Sequence, residues 1–171
     1  ASRRIKPDEL VSCFKNNAKE ISEVKIGYDG IVVANSVAGA KFNLSVNDLS
    51  LALAKKVPDP KDSKKLIDNP YKTWNQVNKD LPNQKIEVYG PPPTSGTRDS
   101  FAEMILENGC THWEAAKVAY ADGDQRKKSC RSIREDGAFI ESGENDNLIV
   151  QKLKANKNAI GIFGYSFLEE N

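Results

Sequence analysis

The sequence predicts an α/β fold, and three observations carry that reading. Short apolar runs of strand length, among them "GIVVAN", "KIEVYG" and "IGIFGY", are bounded by glycine, asparagine or charged residues. Between them lie segments whose apolar residues recur at helical spacing. The two patterns alternate through most of the chain, as a sheet flanked by helices requires.

The elements follow in order. From Pro7, Leu10, Phe14, Ala18 and Ile21 form one stripe behind an N-terminal proline, which predicts an amphipathic helix. "EVKIGYDGIVVANS" predicts two strand pieces separated near Gly27 and Gly30, the second buried on both faces. "FNLSVNDLSLALAKKV" predicts a short strand and then a helix capped by Ser45, with Asp48 three residues on and Val46, Leu49 and Leu53 facing inward. The stretch "VPDPKDSKKLIDNPYKTWNQVNKDLPN" reads mostly as loop, anchored to the core by Trp74, Val77 and Leu81. After the strand "QKIEVYG", a helix opens at Ser95, runs on Phe101, Ala102, Ile105 and Leu106, and stops at Gly109. One or two short charged helices lead to the strand "GAFIES". A helix capped by Asn145 or Asp146, the buried strand "IGIFGY" and a departing "SFLEE" complete the pattern. Both ends read as places where a longer chain was cut.

Bulk properties narrow the function. The 171 residues suffice for one domain or one large lobe, with 39% hydrophobic and 29% charged residues. A net charge of +1, from 25 basic and 24 acidic residues, gives no electrostatic case for nucleic acid. No apolar stretch approaches the roughly 18 residues of a membrane span. "ASRRIKPDEL" has no signal-peptide pattern, which leaves the compartment open, because a mature exported chain would read the same way. A single histidine, His112, and no C-x-x-C pair argue against a metal site, and no cofactor is expected. Cys110 and Cys130 are spaced either for a disulfide or as buried thiols beside Cys13, and spacing alone leaves both open.

The chemically informative stretch is "VYGPPPTSGTRDSF". A strand, a stiff proline turn and then Ser-Gly-Thr opening a helix suit an anion. The first amides of a helix lack internal partners, and the dipole places partial positive charge there. Ser95 and Thr97 add hydroxyl donors, Gly96 permits close approach, and Arg98 adds a forked cation. Ser95 reads equally as an ordinary N-cap. It does not read as a catalytic nucleophile: G-x-S-x-G is absent, and only His112 could serve as base. No catalytic residue is assigned.

"YGPPPTSGTRDSF", "YDGIVVANS", "NDNLIVQKLKANKNAIGIFGYSFLEE" and the opening "SRRI" together resemble the periplasmic phosphate-binding proteins of bacterial phosphate ABC transporters, which are two-lobed substrate-binding proteins. The resemblance runs over nearly the whole chain in order. It implies one α/β lobe with a mixed central sheet flanked by helices, and capture of inorganic phosphate in an inter-lobe cleft for delivery to a membrane permease. Residues 1–27 then correspond to a remnant of the first lobe and 28–171 to the second lobe. Hinge crossings lie around Tyr28–Asn35 and Phe163–Glu170.

The family's anion contacts fall on Ser95, Gly96 and Thr97. Many members carry an arginine four residues before that serine. Here that position is Pro91, so Arg98 becomes the candidate guanidinium. Asn145, Ser2 and Arg3 are secondary candidates, and an acidic family residue that accepts a proton from phosphate lies outside this chain. The resemblance further implies a periplasmic or extracellular setting that favours a Cys110–Cys130 bridge, a monomer, and no enzymatic activity. Alternatives are another oxyanion as ligand, or a surface or adhesive domain that has lost ligand binding.

Overall fold

The computed structural model describes residues 4–18, 20–165 and 167. Among these, Ile31–Asn35 (β1), Ile160–Gly164 (β6), Val88–Gly90 (β4) and Phe139–Glu141 (β5) form one sheet in the order β1-β6-β4-β5. β1 runs antiparallel to β6, while β4 lies parallel to both β6 and β5. The sheet is therefore mixed, as expected.

Strand alternation divides the core between two faces. Ile160 and Ile162 of β6, Ile31 and Val33 of β1, and Val88 of β4 point toward the larger cluster. That cluster also holds Leu49 and Leu53 of α2 (Val46–Leu53), together with Phe101 and Leu106. Phe163, Val32, Ala34 and Tyr89 point the other way, onto Ile149 and Leu153 of α8 (Asp146–Ala155). Gly161 lies on that second face because a Cβ there would stand 2.7 Å from Leu153 Cδ1 and 2.8 Å from Ile149 Cγ2. Its bare backbone lets α8 close on the sheet.

Local signals place several elements as read from the sequence. Ser45 Oγ accepts from the Asp48 amide at 3.1 Å and Asp48 Oδ2 accepts from the Ser45 amide at 2.9 Å, a reciprocal cap on α2. Trp74 is fully buried, edge-on to Phe42 at 5.6 Å, and so belongs to the core.

Other expectations give way. Helix α1 (Pro7–Lys15) ends before Ala18 and Ile21, with Asn17 at a φ of 66°, and it buries no residue. The first strand piece of "EVKIGYD" does not form. Val24, Ile26 and Tyr28 are 78%, 98% and 92% exposed, because an alternating strand needs a neighbour and no described residue pairs with it. No strand forms at Phe42–Leu44 either; those side chains pack half-buried against the core from irregular backbone.

The stretch read as loop instead holds a hairpin, β2 (Lys56–Asp59) against β3 (Asp62–Asp68), with a register shift after Pro58. Charged and proline residues hide its period, and only burial of Val57 and packing of β3 on α6 (Glu114–Ala119) organise it.

Helix α3 (Trp74–Val77) is a single turn. The helix opening at Ser95 ends at Cys110, one residue past Gly109. It runs from α4 (Gly96–Phe101) through a π-helical stretch at Ala102–Glu107 into α5 (Asn108–Cys110). Gly109 is a packing residue, since a Cβ there would lie 2.0 Å from Ser50 Oγ. The same hydroxyl sits 2.9 Å from the Ile105 carbonyl and 2.8 Å from the Val46 carbonyl. Cys110 and Cys130 form a disulfide, with Cα atoms 5.5 Å apart, joining α5 to α7 (Gly123–Cys130).

Candidate functional site: two helix starts at one sheet edge

β4 and β5 are parallel neighbours, so the chain leaves both at the same edge of the sheet. From Gly90 it turns through three prolines into α4, and from Glu141 it turns into α8. The two turns are stitched together. The Ser142 amide donates to the Gly90 carbonyl at 2.9 Å, and the Thr94 hydroxyl contacts the Glu144 carboxylate. Two helix N-termini therefore sit side by side beyond the carboxyl ends of parallel strands, where open α/β sheets bind ligands.

At α4 the proline turn and the cap leave specific groups available. The Ser95 amide donates to the Pro92 carbonyl at 3.0 Å, and Ser95 Oγ accepts from the Thr97 amide at 3.3 Å. Ser95 is thus the N-cap that its residue type allows. The amides of Gly96 and Arg98 have no hydrogen-bond acceptor among the described residues, and Gly96 is exposed.

Arg98 does not extend freely into solvent. Its Nη1 donates to Glu141 Oε1 at 2.9 Å and to the Pro91 carbonyl at 3.2 Å, and the guanidinium lies 4.9 Å from the centre of the Phe139 ring. With its side chain 16% exposed, it clamps the proline turn to the end of β5. A cavity of about 420 Å³ opens beside it, bounded by Lys6, Pro93, Asp99, Glu103 and Arg131.

At α8, Asn145 Oδ1 accepts from the Asn147 amide at 3.0 Å, so Asn145 rather than Asp146 is the cap. Asp146 instead turns to the sheet, where its Oδ2 accepts from the Gly164 amide at 3.3 Å. Burial pushes its carboxyl above the ordinary value; the nearby Asp29 carboxylate adds to this and the Gly164 bond opposes it. Asp29 and Asp146 flank the junction of β1 and β6, where the Tyr165 amide donates to the Gly30 carbonyl at 2.8 Å.

The structure thus brings Ser95, Gly96, Thr97, Arg98 and the Asn145 cap to one edge of the sheet. Ser2 and Arg3 lie outside the described residues. His112 is exposed on the far end of the α5 turn, with Nδ1 2.6 Å from the Asn108 carbonyl. Among the described residues no group of three His, Cys, Asp or Glu side chains could hold a metal ion, and no helix is long and apolar enough to cross a membrane. Sequence reasoning missed Glu141, Glu144 and Asp146. Glu141 and Glu144 gave no local signal, since each partner lies over forty positions away; Asp146 was weighed only as a cap.

Comparison with known proteins adds the following. A family profile described as PBP superfamily domain matches residues 1–171. Protein SphX of Synechococcus elongatus is 30% identical over 171 residues, covering 100% of this chain and 40% of SphX. The phosphate-binding protein PstS of Staphylococcus haemolyticus is 31% identical over 172 residues, covering 100% of this chain and 41% of its own length. Among solved structures, a possible phosphate binding protein from Planctomyces limnophilus superposes with a TM-score of 0.58 at 27% identity, covering 100% of this chain and 48% of that one. The chain therefore spans about 40% of the length of the curated relatives it matches.

Proposed function

The chain belongs to the PBP superfamily, and from that membership we propose that it captures inorganic phosphate in a cleft between two lobes and hands it to a membrane ABC importer. Residues 28–171 supply the second lobe and 1–27 a part of the first, with hinge crossings around Tyr28–Asn35 and Phe163–Glu170, the second of which lies partly outside the described residues. The observation that carries this reading is the exposed start of α4. There the Gly96 amide lacks an acceptor among the described residues, beside a second helix start, at the carboxyl edge of the sheet. Relatives named for phosphate binding supply the choice of anion.

In this reading the Ser95 and Thr97 hydroxyls and the Gly96 amide contact the anion. Arg98 supplies positive charge from a position that Glu141 and Phe139 hold in place, with Nε and Nη2 having no acceptor among the described residues. No bond is made or broken; lobe closure desolvates the ion under fixed donors. The receptor works as a monomer in the periplasm or outside the cell, where the Cys110–Cys130 bridge persists.

One observation favours a second reading. Pro91 stands where many family members carry arginine, and Arg98 is already paired with Glu141, as a surface or adhesive domain that had lost its ligand would allow. Calorimetric titration of the intact protein with phosphate and, separately, sulfate decides. Phosphate binding that Arg98→Ala weakens about ten-fold is the expected result, given the usual worth of a charge-assisted hydrogen bond. Binding of sulfate alone would identify a different oxyanion, and no binding of either ion, with equilibrium dialysis agreeing with calorimetry, would overturn the phosphate reading and leave the second.

A further inference from the structure

No residue of helix α1 is fully buried, and its apolar Leu10 and Cys13 are only partly covered. One contact of the segment around its start with the body of the chain is an ion pair. Lys6 Nζ lies 2.6 Å from Glu103 Oε1, across 97 positions of sequence. Glu103 Oε1 is also 2.8 Å from Arg131 Nη1, and Arg131 Nη2 is 2.6 Å from Glu107 Oε2. The acceptor side is rigid: Glu103 and Glu107 sit one turn apart on the π-helical stretch, and Arg131 follows directly on the disulfide-bonded Cys130. The Lys6 backbone is held at the start of α1, where its amide donates to Glu9 Oε2 at 2.9 Å. Lys6 also lines the cavity of about 420 Å³ that Pro93 of the proline turn and Arg98 and Asp99 of α4 line as well.

We propose that the Lys6–Glu103–Arg131 chain of ion pairs is a latch across the mouth of the cleft, holding the two lobes closed over the bound anion. The proposal rests on the two-lobe phosphate reading, in which residues 1–27 belong to one lobe and Glu103 and Arg131 to the other. The pair is half-exposed, with side chains 36% and 27% accessible, so it tilts the open–closed equilibrium by a small factor. A latch acts only after the ion has entered. It therefore slows release and leaves capture unchanged, whereas a steering charge would act on capture.

The test is stopped-flow and calorimetric phosphate binding to the intact protein and to Lys6→Ala, Lys6→Arg, Glu103→Gln and the Lys6→Ala/Glu103→Gln double variant, with thermal midpoints as a check on folding. The latch predicts that Lys6→Ala and Glu103→Gln each raise the phosphate off-rate about three- to five-fold at an unchanged on-rate. The double variant should be no worse than either single, and Lys6→Arg should behave as wild type. An unchanged off-rate, a loss confined to the on-rate, or losses that multiply in the double variant would overturn the latch while leaving the phosphate reading intact. Absence of phosphate binding by the unmodified protein would overturn both.

Discussion

Arg134 is 3% exposed, yet it spends its donors on backbone as well as on charge. Nη1 donates to the carbonyls of Ala52 and Tyr71 at 3.0 and 2.9 Å, and Nη2 to that of Asn69 at 3.3 Å. Nε and Nη2 also form a fork on Asp136, at 2.7 and 2.5 Å. That fork, with help from Lys72 and against a smaller effect of burial, holds the Asp136 carboxyl well below the usual carboxylate range. The sign follows from linkage. Asp136 binds its proton more weakly in the folded than in the unfolded chain, so its contribution is complete above about pH 4 and fades as pH falls further. Thermal melts between about pH 5 and 2.5 should show a steeper loss for wild type than for Asp136→Asn. Arg134→Ala should cost about 3 kcal/mol at neutral pH, because it strips partners from three buried carbonyls and a carboxylate. A similar residue-scale economy governs Arg98. The sequence identified it as a cation at the helix start, but its pairing with Glu141, 43 positions away, had no local trace.

At the scale of the element, the helix from Gly96 to Cys110 keeps the bounds its sequence pattern predicts to within a residue, while its Ala102–Glu107 stretch is π-helical. Its start was legible because a cap is a local hydrogen bond between near neighbours: Ser95 to Thr97, as with Ser45 to Asp48 and Asn145 to Asn147. Its end falls one residue past the predicted Gly109, but Gly109 makes no left-handed turn and instead leaves room for Ser50. Gly109→Ala should therefore destabilise by about 1–3 kcal/mol despite alanine's better helix propensity, and urea unfolding would show it. The far end of the same helix is stapled to α7. Replacing Cys110 and Cys130 with serine should cost about 3 kcal/mol for a loop of this length. A thermal midpoint unmoved by the double replacement would mean that the bridge contributes nothing to folding. The hairpin β2–β3 escaped sequence reading for the opposite reason, since its order comes from packing on α6 rather than from its own alternation.

For the whole molecule, the exposed apolar side chains of the N-terminal stretch stand against a well-filled core. Val11 and Phe14 are half-exposed and Ile26 almost wholly exposed, whereas Leu53, Trp74 and Ile162 are fully buried. Residues 31–164 thus close a core of their own, while the segment before β1 meets the body at the Lys6–Glu103 ion pair and at Gly30, whose carbonyl accepts from the Tyr165 amide. On the proposed two-lobe reading, the cleft takes donors from both lobes and this chain holds those of one. The 171-residue chain alone should therefore bind phosphate far more weakly than the intact protein, and submicromolar affinity in the isolated chain would overturn the half-site reading.

The sequence by itself determined the α/β class, the capped starts of α2, α4 and α8, and the placing of Ser-Gly-Thr at a helix mouth. Each of these depends on residues a few positions apart, whose hydrogen bonds and periodicities need no distant partner. Only the tertiary structure decided that the starts of α4 and α8 share one edge, that Arg98 is clamped by Glu141, and that Lys6 meets Glu103. Those outcomes depend on sheet order and on how helices close over it. Both are set by burial summed over the whole core, which no short stretch of sequence contains.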